Sequence, residues 1–274
     1  MVVGDARAIG MFDSGVGGLT VARSVLDLLP REPLLYYGDT ARAPYGPRPL
    51  EEIRAFSREI ASYLLDRDVK ALVVACNSVE VAAIEDLTAG AGVPVVGVID
   101  PGVRAAARAS RGGRIGVIGT EATIASGAYQ RAADRYGVGD ELVAQACPAF
   151  VPFVERGDTT SEELLAAARS YLEPVREARV DTLILGCTHY PLLAGLIQMV
   201  MGPEVVLISS AEETARDVYA TLVREGLLRE EGGSPRHDFL CSGDPDQFRA
   251  LGRVFLGPEV DDVGLTSVQR EPLG

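Results

Sequence analysis

One stretch of this chain occurs twice: VKALVVACNS at 69–78 is matched by VDTLILGCTH at 180–189. The helical-looking segment that starts at 50 has its counterpart at 161, with the same offset of 111 residues. PVVGVID (94–100) matches EVVLISS (204–210) at an offset of 110, and AIGMFDSG (8–15) matches RIGVIGTE (114–121) at 106. A nearly constant offset, with a cysteine at the same point of both copies, marks a duplicated unit. At 274 residues the chain is long enough for two such units, each burying most of its apolar surface.

Within each unit, short Val- and Ile-rich runs alternate with longer segments of helical period. The runs are AIGMF (8–12), PLLYY (33–37), ALVVA (71–75) and PVVGVI (94–99), then RIGVI (114–118), ELVAQA (141–146), TLILG (182–186) and EVVLI (204–208). Continuous apolar strands separated by helices predict parallel sheets covered on both faces. Segments 50–66 and 161–178 carry apolar residues at three- and four-residue spacing, the second opening on a Ser161 cap, with Pro174 expected to kink or end it. The predicted class is therefore α/β: two pseudosymmetric domains, each a mostly parallel sheet flanked by helices, with the active site in the cleft between them. Residues 1–100 plus 211–256 are assigned to the first domain and 101–210 to the second. The helix near 211–226 and the run HDFLCSG (237–243) return to the first domain, and 257–274 form an irregular tail.

Matched strand ends facing each other bring Cys76 and Cys187 to one cleft, because ligands of open parallel sheets bind beyond the carboxyl ends of the strands. A thiol at a strand end leading into a helix meets the positive helix terminus, which lowers its pKa and favours a thiolate base. His189 follows Cys187 by two residues, within reach to shuttle its proton. Asp13 ends the first strand, where a carboxylate orients or deprotonates a neighbouring thiol. Gly15, Gly17 and Gly18 after it permit a tight strand-to-helix turn, but FDSGVGG is not a full GxGxxG and points to no nucleotide.

Composition narrows the rest. A net charge of −13 disfavours direct nucleic-acid binding and membrane surfaces, so an anionic substrate must be held by local donors and helix N-termini. The opening MVVGDARAIG has no secretion-signal pattern and no apolar run reaches the length of a membrane span, which predicts a cytoplasmic location. There the four cysteines are expected as free thiols. With no CxxC and only two histidines, no metal site is expected.

The fragments FDSGVGG, YYGDTARAPYG, ACNS, VIGTEATIASGAY, CPAFVPFVE and GCTHYP, in that order from residue 8 to about 256, resemble the bacterial glutamate racemase family. The resemblance implies glutamate bound between two α/β domains without pyridoxal phosphate, metal or nucleotide, and a role in the supply of D-glutamate for peptidoglycan. It implies Cys76 and Cys187 as the two acid/base thiols, with Asp13 supporting Cys76 while His189 and Glu155 serve the Cys187 side. It further implies Ser14, Tyr45, Gly46, Asn77, Ser78, Thr120 and Thr188 as substrate-binding residues. Where the family usually has CNT followed by small residues, this chain has Cys76-Asn77-Ser78-Val79-Glu80; Glu80 is expected to face away and complement the helix dipole.

Inversion at Cα requires a base on one face and an acid on the other, and two thiols exchanging those roles satisfy this in one pass. The rival readings are an aspartate or other racemase of the same superfamily, and an acidic protein that interacts with DNA gyrase. A homodimer is the expected assembly.

Overall fold

A computed structural model describes residues 4–112, 114–230, 233–260 and 263–266. One sheet contains β1 (Ile9–Asp13), β2 (Leu34–Gly38), β3 (Ala71–Val74), β4 (Val95–Val96), β9 (His237–Cys241) and β10 (Val263–Leu265); the other contains β5 (Arg114–Gly119), β6 (Leu142–Ala146), β7 (Val180–Gly186) and β8 (Val206–Ser209). Every pairing among the described residues is parallel. The central strands β1, β2 and β3 are buried along their whole length, as a sheet covered on both faces requires.

The order β6-β5-β7-β8 of the smaller sheet repeats the order β2-β1-β3-β4 inside the larger one. Registers repeat as well: Ile9 pairs with Ala71 and Ile115 with Thr182, the same shifts that align the two sequence copies. The last strands differ slightly. Val95 pairs with Leu72 whereas Leu207 pairs with Leu183, two residues beyond the match read from sequence.

After β8 the chain returns to the first sheet. Helix Ser210–Arg224 buries Ala211, Ala215, Val218 and Leu222, a three- and four-residue stripe, and packs on helices Leu19–Leu28 and Ile99–Ala109. β9 then pairs with β2. Lys70 anchors the return from below: its fully buried ammonium donates to the carbonyls of Asp5 and Leu227, each at 2.8 Å, and sits 2.5 Å from the Glu32 carboxylate. Glu32 in turn accepts from the Arg229 N–H at 2.7 Å. A lysine so deeply buried is tolerated because charge and donors are both matched.

Three local expectations are corrected. The run at 94–99 forms only a two-residue strand, because the N–H groups of Val98 and Ile99 donate to Glu80 Oε2 at 2.5 and 3.0 Å and so leave the ladder. Helix Glu162–Glu177, capped by Ser161 at 3.2 Å, does not end at Pro174 but runs on to Glu177; the proline forfeits only its own bond to the carbonyl four residues back, and the rest of the helix supports the chain through it. Finally, the segment from 257 is not wholly irregular: Pro258–Val260 form a 3₁₀ turn and Val263–Leu265 add an edge strand to β9, while 267–274 lie outside the described residues. That strand carries the sequence Val-Gly-Leu, too short to give a periodic signal. Among the described residues, no helix is long and apolar enough to cross a membrane.

Candidate active site

The carboxyl ends of β1, β3, β5 and β7 deliver Asp13, Cys76, Thr120 and Cys187 to the same end of the molecule. Between the two sheets lies a cavity of about 700 Å³, its mouth included. Ser14, Tyr45, Gly46, Cys76, Asn77 and Ser78 line it from the first sheet, and Thr120, Glu155, Cys187, Thr188 and His189 from the second. Of the catalytic and substrate-binding residues expected from sequence, only Asp13 does not line it; it lies behind the wall, completely buried.

The two thiols differ in environment. Cys76 occupies the N-cap position of helix Asn77–Gly90, with its Sγ 3.6 Å from the Ser14 hydroxyl. The expected lowering by the helix terminus is outweighed: burial, followed by the nearby Asp13 carboxylate, pushes the Cys76 thiol well above the usual range. Asp13 Oδ2 accepts from the Gly15 N–H at 3.0 Å, while Oδ1 is buried without a partner.

Cys187 leads into a turn and the short 3₁₀ segment Tyr190–Leu193, so no α-helix begins at its sulfur. Its neighbour is His189, with Sγ 3.8 Å from Nδ1, and His189 Nε2 lies 3.2 Å from Glu155 Oε1. Burial alone would lower the imidazole, but its bonds to Cys187 and Glu155 win and raise it from 6.5 to about 10. His189 is therefore an imidazolium at neutral pH, and a positive ring stabilises negative charge on the adjacent sulfur. Phe255, closing the helix Pro245–Phe255, packs edge-on against the ring with centroids 5.7 Å apart.

Several contacts span the cleft. Ser78 Oγ lies 3.0 Å from Thr120 Oγ1, the cap of the short helix after β5. The Ala122 N–H donates to the Gly46 carbonyl at 3.2 Å, and Asn77 Nδ2 donates to the Tyr129 hydroxyl at 2.9 Å. Tyr45 spends its own hydroxyl on Asp39, a fully buried carboxylate also bound by Arg42 at 2.6 Å and Ser242 at 2.7 Å. Sequence reading missed Asp39 and Tyr129, although both sit inside the family-like fragments YYGDTARAPYG and VIGTEATIASGAY.

Gly17 shows why the first turn is glycine-rich. A β-carbon there would stand 2.4 Å from Thr188 Oγ1 and 2.5 Å from His189 Nδ1, so the two units meet through its bare backbone. Gly17→Ala is expected to displace His189 and lower kcat roughly ten- to a hundredfold with little loss of melting temperature. Steady-state rates and a thermal melt check this; unchanged kcat would show that the contact has slack.

Glu80 faces away from the cavity as expected, but the helix start it serves is chiefly that of Ile99–Ala109, through the N–H groups of Val98 and Ile99. Gly97 has no side chain where the Glu80 carboxylate sits, 2.5 Å from an ideal β-carbon. Burial raises that carboxyl to about 7.

Residues 17–218 match the model of the Asp/Glu/Hydantoin racemase family. The chain is 58% identical to the glutamate racemase of Beutenbergia cavernae, over 93% of this chain and 91% of that one. Its structure resembles the glutamate racemase of Bacillus anthracis (TM-score 0.90, 40% identity, covering 95% and 97% of the two chains). It equally resembles that of Francisella tularensis, solved in complex with D-glutamate (TM-score 0.90, 33% identity, 96% and 98%). With two matched thiols on one cavity and similarity along most of its length, this chain belongs to the Asp/Glu/Hydantoin racemase family.

Proposed function

We propose that this protein interconverts L- and D-glutamate by proton transfer at Cα between Cys76 and Cys187. The observation that carries the reading is that both thiols, each following the equivalent strand of its unit, line the same cavity. One thiolate removes the α-proton and becomes a thiol; the other thiol delivers its proton to the opposite face and becomes the thiolate. Because the roles are exchanged at the end of each turnover, the enzyme next accepts the product enantiomer or resets through solvent.

The surroundings suit a small dicarboxylate. Ser14, Ser78, Thr120 and Thr188 supply hydroxyls, the loop at Tyr45 and Gly46 closes one end, and helix Asn77–Gly90 points its positive terminus at the cavity. These local dipoles hold an anion in a chain of net charge −13 and stabilise the charge that develops on the α-carboxylate when Cα is deprotonated. Asp13, behind Cys76, orients that side through Gly15; His189 and Glu155 keep the Cys187 side charged. In the cell, the product D-glutamate serves peptidoglycan synthesis.

The decisive test is optical rotation on each glutamate enantiomer without added cofactor, followed in D2O by proton NMR. Both enantiomers are expected to converge on the racemate with deuterium entering Cα, and aspartate, one methylene shorter, to be turned over roughly ten- to two-hundredfold less efficiently. Racemisation with no solvent isotope at Cα, or a preference for aspartate, would overturn the assignment.

A further inference from the structure

We propose that Tyr129, a residue that does not line the cavity, positions Asn77 for the substrate and thereby sets glutamate affinity; the proposal rests on the glutamate reading just given. Tyr129 lies on helix Ala128–Arg135 of the second unit and is 2% exposed. Its hydroxyl accepts from Asn77 Nδ2 at 2.9 Å across the cleft. Asn77, the residue after Cys76, is itself buried and lines the cavity, and its Oδ1 has no protein partner. A buried amide with one end bonded and the other unmatched is rare unless a ligand or ion completes it.

The same ring touches the other thiol's strand. An ideal β-carbon on Gly186, the residue before Cys187, would stand 3.0 Å from both Tyr129 Cε2 and its hydroxyl oxygen. Tyr129 therefore lies against the end of β7 while holding the first residue of helix Asn77–Gly90. Its hydroxyl holds the amide at the cavity wall through Nδ2 and leaves Oδ1 as the unmatched end for a ligand to complete, while its ring packs against the residue before Cys187. A hydrogen bond of this kind acts on ground state and transition state alike, so its loss appears in KM and spares kcat.

Tyr129→Phe removes the oxygen and keeps the ring. For both enantiomers KM is expected to rise roughly five- to tenfold, with kcat within about threefold of wild type. Asn77→Ala should raise KM at least as much, and the double variant should be no worse than Asn77→Ala alone, because the two side chains act through one contact. The glutamate-induced rise in melting temperature reads the same comparison without turnover. The proposal is overturned if Tyr129→Phe leaves KM and the thermal shift unchanged, or if kcat falls at constant KM. It is equally overturned if the penalty persists in full when Asn77 is already alanine. Should Tyr129→Phe not fold, an unchanged KM in Asn77→Ala is enough to overturn it. A wild-type protein that binds glutamate but does not invert it would instead sink the preceding functional reading, leaving the Tyr129 comparison legible in the thermal shifts.

Discussion

Cys76→Ser and Cys187→Ser are each expected to reduce glutamate racemisation by more than about 10³-fold, the upper part of the range for losing a general acid or base. A serine hydroxyl keeps the shape of the thiol and its hydrogen-bonding capacity, but it is a far weaker acid and so a poor proton carrier near neutral pH. Inversion needs both faces, so either substitution stops it. One face remains competent, however. Each variant is expected to wash deuterium slowly into Cα of a single enantiomer with retention, and the two variants should act on opposite enantiomers. Proton NMR with chiral analysis reads this directly; wash-out from the same enantiomer in both would place the thiols on one side of the substrate and end the two-base scheme. The unequal environments add a second expectation. Burial and Asp13 raise the Cys76 thiol, whereas Cys187 has the His189 ring beside it, so loss of the two thiols should cost unequal amounts in the two reaction directions.

His189→Asn is the second large effect, a loss of about 10²- to 10³-fold in the direction that uses Cys187 as base, with a smaller loss in the other. The imidazolium is kept charged by Cys187 and Glu155 against the opposing cost of burial, up to about pH 10. Its support for the thiolate is therefore present at neutral pH and disappears as pH rises through about 10. In the wild type the rate in that direction should fall over the same range, and His189→Asn should lack this limb; pH profiles of kcat/KM measured from each enantiomer decide it. Stability follows the same sign. The folded protein binds this proton more tightly than the unfolded chain, so the contribution is complete below the ordinary pKa of 6.5 and is lost as pH rises through about 10. A melting temperature whose decline between those values is as steep in His189→Asn as in wild type would show that another group carries it.

The local chemistry of the chain made much of this visible without coordinates. Most of the parallel strands read as short apolar runs, so β1 to β9 are located in the sequence to within a few residues, and the double occurrence of a strand followed by cysteine foretells both the repeated strand order and the meeting of Cys76 and Cys187. Glu155, Tyr45 and Thr120 carry no such signal of their own; a glutamate beside an arginine or a tyrosine in a loop looks the same on any surface, and only family likeness pointed to them.

What tertiary structure alone decided is the environment of each group, because desolvation and pairing depend on neighbours far away in the chain. Both cysteines follow the equivalent strands of their units, yet Cys76 is driven up by its burial and Asp13 while Cys187 shares a hydrogen bond with a charged histidine. Glu80 cut β4 to two residues by capturing N–H groups eighteen and nineteen positions downstream. The bond from Asn77 to Tyr129 joins residues 52 positions apart. Sequence set which atoms exist and the order of the strands; folding chose which of those atoms lost water together, and that loss determines where a proton rests.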